Sequence, residues 1–268
     1  AGIDAAGNFV WAGKFGSGDP WGNYGLIAAG NDLYVTGTFM GTADFDPGPG
    51  TYSLTVTGTP LIAFPHNQFI LKLDLAGNFV WAKSIVSTAA SNGVNIDLDV
   101  AGSLYAIGTF EGTADLDPGP GVYTLTSNGF SDAFVLKLDA AGNLAWAEAI
   151  GGSGEEWPAQ VSIGMNADIY LTGSFQSTVN VDPGNGFANI ISTGREDIFV
   201  LKWAQCSWGL APVDNTPPQN KFICQNTAAS LFAYATNPIS WYGSLTGSVS
   251  LGTGTNFISP PLALDVYT

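Results

Sequence analysis

Residues 69–85 read FILKLDLAGNFVWAKSI, two runs of alternating apolar residues separated by an Ala-Gly-Asn turn. Alternation with a period of two is typical of a strand with one buried face, and a short turn containing Gly and Asn is typical of a hairpin. Elsewhere, 35 Gly and 15 Pro interrupt the windows that a long helix would need. The pattern therefore predicts an all-β chain.

The same segment recurs along the chain. NFVWA ends at Ala12 and at Ala82, and NLAWA ends at Ala147. Three positions return once per copy, a strand tryptophan, a tyrosine and a lysine: Trp11, Trp81 and Trp146; Tyr34, Tyr105 and Tyr170; Lys72, Lys137 and Lys202. Self-similarity of this kind predicts three repeat units of about 65–70 residues. We expect the strand tryptophans in the core, because they alternate with small residues.

Each unit contains four strand-like segments, exemplified by NFVWAKSI, VNIDLDV, SLYAIGTF and AFVLKLD. Four antiparallel strands per repeat are typical of a β-propeller blade. Such a blade needs about 40–45 residues, so the surplus is expected in an inserted hairpin around DPGPGVYTLT. The prediction is a repeat domain over residues 1–204 with three four-stranded blades and inserted hairpins.

Residues 205–220, QCSWGLAPVDNTPPQN, break the period and are typical of a Pro-rich linker. Residues 221–268 then contain short alternating strands, with Trp241 following Cys224 as a Trp follows a Cys in the core of an Ig-like β-sandwich. We expect this module to be incomplete, since another strand would be expected after Thr268. The chain also starts at Ala1 rather than Met, so we expect a mature or excised piece of a longer polypeptide.

The repeats resemble a known family. GTADFDPGPGTYSLT followed by FILKLDLAGNFVWAKSI is similar to the bacterial β-propeller repeat often called SBBP, found in large secreted and cell-surface proteins, and the resemblance covers residues 1–204. Residues 221–268 resemble the Ig-like modules of type IX secreted bacterial surface proteins, with ISWY at Ile239–Tyr242 and LGTG at Leu251–Gly254. The resemblance implies an extracellular or cell-surface location and carries no defined catalytic residues.

The chain is strongly acidic. Seven Lys and Arg residues stand against 22 Asp and Glu residues, for a formal net charge of −15. Such a charge argues against nucleic acid or an anionic membrane surface as a partner. No apolar run approaches the ~20 residues of a membrane-spanning helix. We therefore expect neither nucleic-acid binding nor membrane insertion.

The repeated turn GTADFDPGPG, residues 41–50, and its copy at residues 112–121 place two carboxylates on one face of an extended segment. Such carboxylates, with backbone carbonyls, are possible Ca²⁺ ligands. The candidate ligands in the three copies are Asp44 and Asp46, Asp115 and Asp117, and Asn180 and Asp182. The alternative, which we favour, is that each side chain caps its own turn. In that alternative Asp46, Asp117 and Asp182 are also plausible partners for the repeated lysines, since a lysine within an apolar strand needs a carboxylate.

Catalytic chemistry is poorly represented in the sequence. The single histidine, His66, lies in AFPHNQ without the context of a catalytic triad. A glycosidase needs one pair of acids at one cleft, whereas these acids return in every repeat. The prediction is a protein that is not an enzyme and that binds no cofactor other than, in one alternative, calcium.

Four further residues have two interpretations each. Trp21 in GSGDPWG and Trp157 in GSGEEWP are predicted in equivalent loops, where each would either stack on a sugar ring or pack against a neighbouring blade. Cys206 and Cys224 flank the Pro-rich segment; in an extracellular chain we expect a disulfide, the alternative being two buried thiols.

These features favour an extracellular structural or adhesive protein that assembles with itself into a filament or array. Three blades are fewer than the usual minimum of about 4 for a closed propeller. The N-terminal strand would either pair with the last strand of the third unit and close a ring, or leave open edges that pair with other copies. The alternative functions are a carbohydrate-binding module and a non-catalytic part of a larger secreted enzyme.

Overall fold

The computed structural model describes residues 8–16, 23–56, 66–165, 167–182 and 188–204, together with the backbone of short strands at 2–3, 230–232, 240–242, 250–253 and 256–258. All the regular secondary structure within these ranges is β-strand, so the all-β prediction is confirmed. In the same ranges, no helix has the length and apolar character needed to cross a membrane.

The strands follow one another in short antiparallel hairpins. Their bounds are β1 Gly2–Ile3, β2 Phe9–Trp11, β3 Gly25–Ala29, β4 Asp32–Met40, β5 Thr42–Asp44, β6 Ser53–Thr55, β7 His66–Asp74, β8 Phe79–Ser87, β9 Ser91–Leu98, β10 Leu104–Phe110, β11 Thr113–Asp115, β12 Thr124–Thr126, β13 Asp132–Leu138, β14 Leu144–Gly152, β15 Glu156–Ile163, β16 Ile169–Phe175, β17 Thr178–Asn180, β18 Asn189–Ile191, β19 Asp197–Trp203, β20 Ser230–Phe232, β21 Ser240–Tyr242, β22 Ser250–Thr253 and β23 Asn256–Ile258.

The chain divides into two compact units, one of residues 1–165 with 169–202 and the other of residues 166–168 with 203–268. In the second unit, β20 pairs with β23 and β21 with β22, both antiparallel. Most of the predicted linker and Ig-like module lies outside the described residues, as do Cys206 and Cys224. The domain assignment beyond residue 204 therefore stays a prediction.

Three main sheets form the first unit. Sheet 1 has the order β3-β4-β7-β8, sheet 2 the order β9-β10-β13-β14, and sheet 3 the order β15-β16-β19. Sheets 1 and 2 contain the four strands expected of a blade, whereas three strands of sheet 3 are described. The boundaries of the sheets do not coincide with the start of the sequence repeat. The NFVWA-type strand is the last of the four strands in sheets 1 and 2, and its first copy, β2, pairs with β1. Among the described strands, β19 pairs with β16, so no ring is closed between β2 and β19.

The Ala-Gly-Asn turns form as predicted. Between β7 and β8, the Asp74 carboxylate accepts hydrogen bonds from the backbone N–H of Asn78 at 2.8 Å and from its side-chain amide at 2.7 Å. Gly77 has a φ of 86°, a backbone conformation that residues with a Cβ rarely adopt. Asp139 receives the same two bonds from Asn143 between β13 and β14. The turn sequence thus fixes where each outer strand begins.

The inserted hairpins take a position that the sequence did not indicate. We expected a hairpin inserted in each repeat, without a pairing partner. In the structure, β11 of the β11–β12 hairpin pairs with β8 of sheet 1, with Ala114 opposite Ser87. In the same way β17 pairs with β14 of sheet 2, with Val179 opposite Gly152. These two hairpins therefore lengthen the preceding sheet and tie consecutive sheets together.

The cores lie between the stacked sheets, because alternate residues of one strand face opposite ways. In β7, Phe69 and Leu71 belong to a cluster with Phe45, whereas Ile70 belongs to a second cluster that includes Ile96 of sheet 2. Of the repeated tryptophans, Trp146 is buried, and Trp11 and Trp81 are partly buried and pack against these clusters. A sheet buried on both faces explains why β7 reads as a continuous apolar run interrupted by one lysine.

Candidate functional site

The acidic turn of the first repeat is held by its own backbone. Asp44 Oδ1 accepts hydrogen bonds from the backbone N–H of Asp46 at 3.0 Å and of Tyr52 at 2.9 Å. Asp46 Oδ1 in turn accepts from the N–H of Gly48 at 2.8 Å. The N–H of Asp46, followed by that of Tyr52, lowers the pKa of the Asp44 carboxyl below its ordinary value. The first aspartate thus joins the two ends of the turn, and the second caps its centre.

The second and third repeats have the same geometry. Asp115 Oδ1 accepts from the N–H of Asp117 at 3.0 Å and of Tyr123 at 2.9 Å. In the third repeat Asn180 Oδ1 accepts from the N–H of Asp182 and of Ala188, each at 3.1 Å. An amide oxygen serves here as well as a carboxylate oxygen. The arrangement is that of the capping alternative, which needs an acceptor but no charge.

Calcium binding at these turns stays a prediction. Within the described part of the chain, no three Asp, Glu, His or Cys residues lie close enough together to hold a metal ion. Ca²⁺ usually takes about 6–8 oxygen ligands. The two carboxylates of each turn would therefore need backbone carbonyls or water to complete a site.

The repeated lysines do not pair with the turn aspartates, and that expectation is wrong for the first two copies. Lys72 Nζ lies 2.8 Å from Asp32 Oδ2, and Lys137 Nζ lies 3.3 Å from Asp99 Oδ2. Asp32 begins β4 and Asp99 follows β9, so both partners lie within the sheet that carries the lysine. The turn aspartates belong to the inserted hairpins, of which β11–β12 and β17–β18 lie at the outer edges of sheets 1 and 2, away from the strands that carry the lysines.

The repeated tyrosines complete the environment of the lysines. Tyr34 lies directly opposite Lys72, and Tyr105 lies directly opposite Lys137. Each ammonium group lies over the opposite ring, at 5.1 and 4.8 Å from the ring centroid. Such contacts stabilise a desolvated cation. The return of one tyrosine and one lysine in every repeat was the sequence signal for this pair. The pair is also present in the third repeat, where Lys202 Nζ lies 5.7 Å from the ring centroid of Tyr170.

Two buried carboxyls at the junction of sheets 2 and 3 were not predicted. Asp132 and Glu156 are fully buried, and Asp132 Oδ1 and both oxygens of Glu156 have no hydrogen-bond partner within the described residues. Burial, followed by the charge of Asp132, raises the pKa of Glu156 to about 8. Burial likewise raises the pKa of Asp132. No sequence signal separated Glu156 from its neighbour Glu155, since the equivalent strand of sheet 2 begins with a serine, Ser91.

The remaining candidate residues are not brought together. Trp157 is exposed but lies within β15, opposite Ser174, rather than in a loop as predicted. Trp21 lies outside the described residues. His66 also lies in a strand, at the start of β7 opposite Met40, and not in the expected loop. Of the two tryptophans predicted to contact a sugar, the structure therefore describes Trp157 alone.

Comparison with known proteins gives distant relatives. No family model matches the chain. The regulatory protein FlaEY of Caulobacter vibrioides is 26% identical over 132 residues, covering 48% of this chain and 14% of its own length. The uncharacterized WD repeat-containing protein L264 of Acanthamoeba polyphaga mimivirus is 28% identical over 300 residues, covering 94% of this chain and 20% of its own length. The chain thus spans a fifth or less of these relatives, and its sheets together with the WD-repeat similarity indicate a β-propeller-like repeat protein.

Proposed function

We propose that this chain is a non-enzymatic structural component of an extracellular surface, in which SBBP-type blades and an Ig-like module build a self-assembling filament or array. The observation that carries the proposal is that the polar groups returning in every repeat hold the repeat itself together. Repetition of a group with a structural task is expected of a scaffold, whereas an enzyme needs its reactive groups at one place.

The acidic turns support this reading through their hydrogen bonds. Asp44 and Asp115 each accept two backbone N–H groups of their own hairpin. The hairpin of Asp115 begins with β11, which pairs along β8 at the edge of the preceding sheet. A rigid turn therefore stabilises a joint between repeats, which is the property that an extended structural protein needs.

The lysines support it through their ion pairs. Lys72 and Lys137 are engaged with Asp32 and Asp99 and lie over tyrosine rings. Both lysines are thus occupied by contacts within their own sheet, as is expected of a structural cation. The extracellular location is supported by the sequence resemblance alone, and the net charge of −15 suits a soluble surface.

The location is tested in cells that produce the full-length protein. A membrane-impermeant amine-reactive label should modify the protein on intact cells, while a cytosolic control protein stays unlabelled until lysis. Negative-stain images of the released material should show extended particles. Labelling that appears only after lysis would contradict the extracellular assignment.

Carbohydrate binding is the second candidate, because Trp157 is an exposed aromatic side chain on β15, a strand at the edge of sheet 3. Trp157→Ala should then abolish a signal that the unmodified chain gives on a glycan array, while Val122→Ala, at an exposed site on the β11–β12 turn, leaves it unchanged. Absence of any signal from the unmodified chain would remove this candidate.

A further inference from the structure

The two junctions between consecutive sheets follow one packing rule. The first strand of each sheet lies against the preceding sheet: β9 packs on β3, β4 and β7, and β15 packs on β9, β10 and β13. At the first junction Tyr34 and Ile70 of sheet 1 share a cluster with Ile96 of sheet 2. The forward face of a sheet is the face on which the next sheet packs. The rear face is the opposite face, where its first strand packs on the preceding sheet.

No described strand packs on the forward face of sheet 3. Val200 of β19 is 78% exposed, whereas Ile70 and Val135, which precede Lys72 and Lys137 by the same two positions, are 0% exposed. Ile198, two residues earlier on the same face, is equally exposed, and Tyr170 is exposed where Tyr34 and Tyr105 are buried. These apolar side chains occupy the positions that a following sheet covers in the other two repeats.

The rear face of sheet 1 is uncovered at the corresponding position. Leu26 of β3 lies opposite the residue after Tyr34, as Ile96 of β9 lies opposite the residue after Tyr105. Leu26 is 66% exposed, whereas Ile96 is 4% and the equivalent Val161 of β15 is 2% exposed. The molecule therefore has the two halves of one interface, at opposite ends of a row of three sheets.

The outer strands do not add a second contact. Sheet 3 has no described strand beside β19, where sheets 1 and 2 have β8 and β14. The strand β2 is equivalent to β8, because the N–H of Gly16 bonds to the carbonyl of Asp44, as Val86 pairs with Asp115. The edge of β2 that corresponds to the β7 side of β8 is already paired with β1, with Gly2 opposite Trp11 as Lys72 is opposite Trp81.

We propose that these two faces bind each other between copies of this chain, head to tail. Leu26 of one copy packs against Ile198 and Val200 of the next. We take a second copy as the occupant because a rear face of this repeat covers a forward face at both junctions within the chain. The inference rests on the proposed structural function and names its assembly contact.

The geometry has two consequences. A head-to-tail interface uses different surfaces on the two partners, so it extends into a linear or helical array rather than stopping at a dimer. Each copy carries a charge of −15, and salt shortens the range of the repulsion between copies. Association should therefore strengthen as salt rises, the opposite of an interface held by exposed ion pairs.

The test is the mass of the whole chain by light scattering after size exclusion, over a concentration series. Val200→Glu blocks the forward face, Leu26→Glu blocks the rear face, and Val122→Glu adds the same charge at an exposed site away from both. We expect the unmodified chain and Val122→Glu to form concentration-dependent oligomers, and each face variant alone to be monomeric. A mixture of the two face variants should give a one-to-one dimer and nothing larger, since one intact face remains on each.

Other results overturn the proposal. A monomeric unmodified chain at every concentration and salt level rejects the second copy, and if a longer parent protein is also monomeric, further repeats of that protein are the occupants. Oligomers that survive both face variants place the contact elsewhere. These outcomes leave the surface-labelling test of the proposed function untouched, whereas an intracellular protein with the expected mixing behaviour would reject that function and keep this interface.

Discussion

Lys72 Nζ lies 2.8 Å from Asp32 Oδ2, two residues along β4 from the tyrosine directly opposite the lysine. Burial lowers the pKa of Lys72, but hydrogen bonds to Asp32 and Tyr34 outweigh burial and raise the pKa above its ordinary value. The second repeat has an equivalent pair, Lys137 with Asp99, in which the carboxylate comes from the strand end of β9 instead. The two pairs differ in burial, and this difference gives the first prediction.

Removing the lysine should destabilise the second repeat more than the first. The side chain of Asp99 is 6% exposed and that of Asp32 is 34% exposed, so Lys137→Met leaves a buried carboxylate without its cation. We expect a loss of about 3 kcal/mol for Lys137→Met and of about 1 kcal/mol or less for Lys72→Met, measured by urea unfolding. Lys83→Met, outside both ion pairs, is the control. Equal losses for the two variants would contradict the role of burial.

The acidic turns should need an acceptor rather than a charge. Asp115→Asn keeps an oxygen for the N–H groups of Asp117 and Tyr123, as Asn180 does in the third repeat, whereas Asp115→Ala removes it. We expect Asn to change the free energy of unfolding by less than about 0.5 kcal/mol and Ala to lower it by about 1–2 kcal/mol. Urea unfolding of the two variants measures the difference.

Asparagine variants of the turns also test whether the turns bind calcium. If the turns bind Ca²⁺, chelator should lower the melting temperature of the unmodified chain, and Asp44→Asn with Asp115→Asn should abolish that difference. Melting curves that are identical with Ca²⁺ and with chelator would leave the capping role as the whole function of these residues.

The junction of sheets 2 and 3 should weaken as pH rises. Burial and the neighbouring charges of Asp132 and Glu155 raise the pKa of Glu156 from an ordinary value of 4.5 to about 8. Below pH 4.5 the carboxyl is protonated in both folded and unfolded chains. Between pH 4.5 and about 8 the unfolded chain releases the proton first, so the free energy of unfolding falls with rising pH.

Glu156→Gln should remove that part of the pH dependence, because an amide has no proton to release. We expect the variant to melt above the unmodified chain at pH 8 and close to it at pH 4.5. Glu148→Gln on β14 should remove a separate part of the pH dependence, between pH 4.5 and about 7, because burial raises the pKa of Glu148 to about 7. A Glu156→Gln curve parallel to that of the unmodified chain from pH 4.5 to 8 would refute the assignment.

Docking of the hairpins should be sensitive to Gly152. A Cβ at Gly152 would meet Thr178 O at 1.9 Å, in the strand that pairs with β14. We expect Gly152→Val to detach the β17–β18 hairpin and to speed proteolysis near residues 178–191, read by mass spectrometry. Gly194→Val, where a Cβ meets nothing within 4 Å, should digest at the unmodified rate. An unchanged cleavage pattern in Gly152→Val would show that the hairpin does not depend on this contact.

The sequence by itself determined the strands, the turns and the repeat. Alternation of apolar residues and the Ala-Gly-Asn turns are local, so the hairpin of β7 and β8 and the cap of Asp44 follow from neighbouring residues. The tertiary structure alone decided which strands meet across repeats. The pairing of Ala114 with Ser87 and the ion pair of Lys72 with Asp32 join residues far apart in sequence, and several carboxylates were equally available by composition. The exposure of Val200 was also decided by the tertiary structure. Val200 occupies the same position in its repeat as the buried Ile70, but burial depends on which residues pack against each face of a sheet.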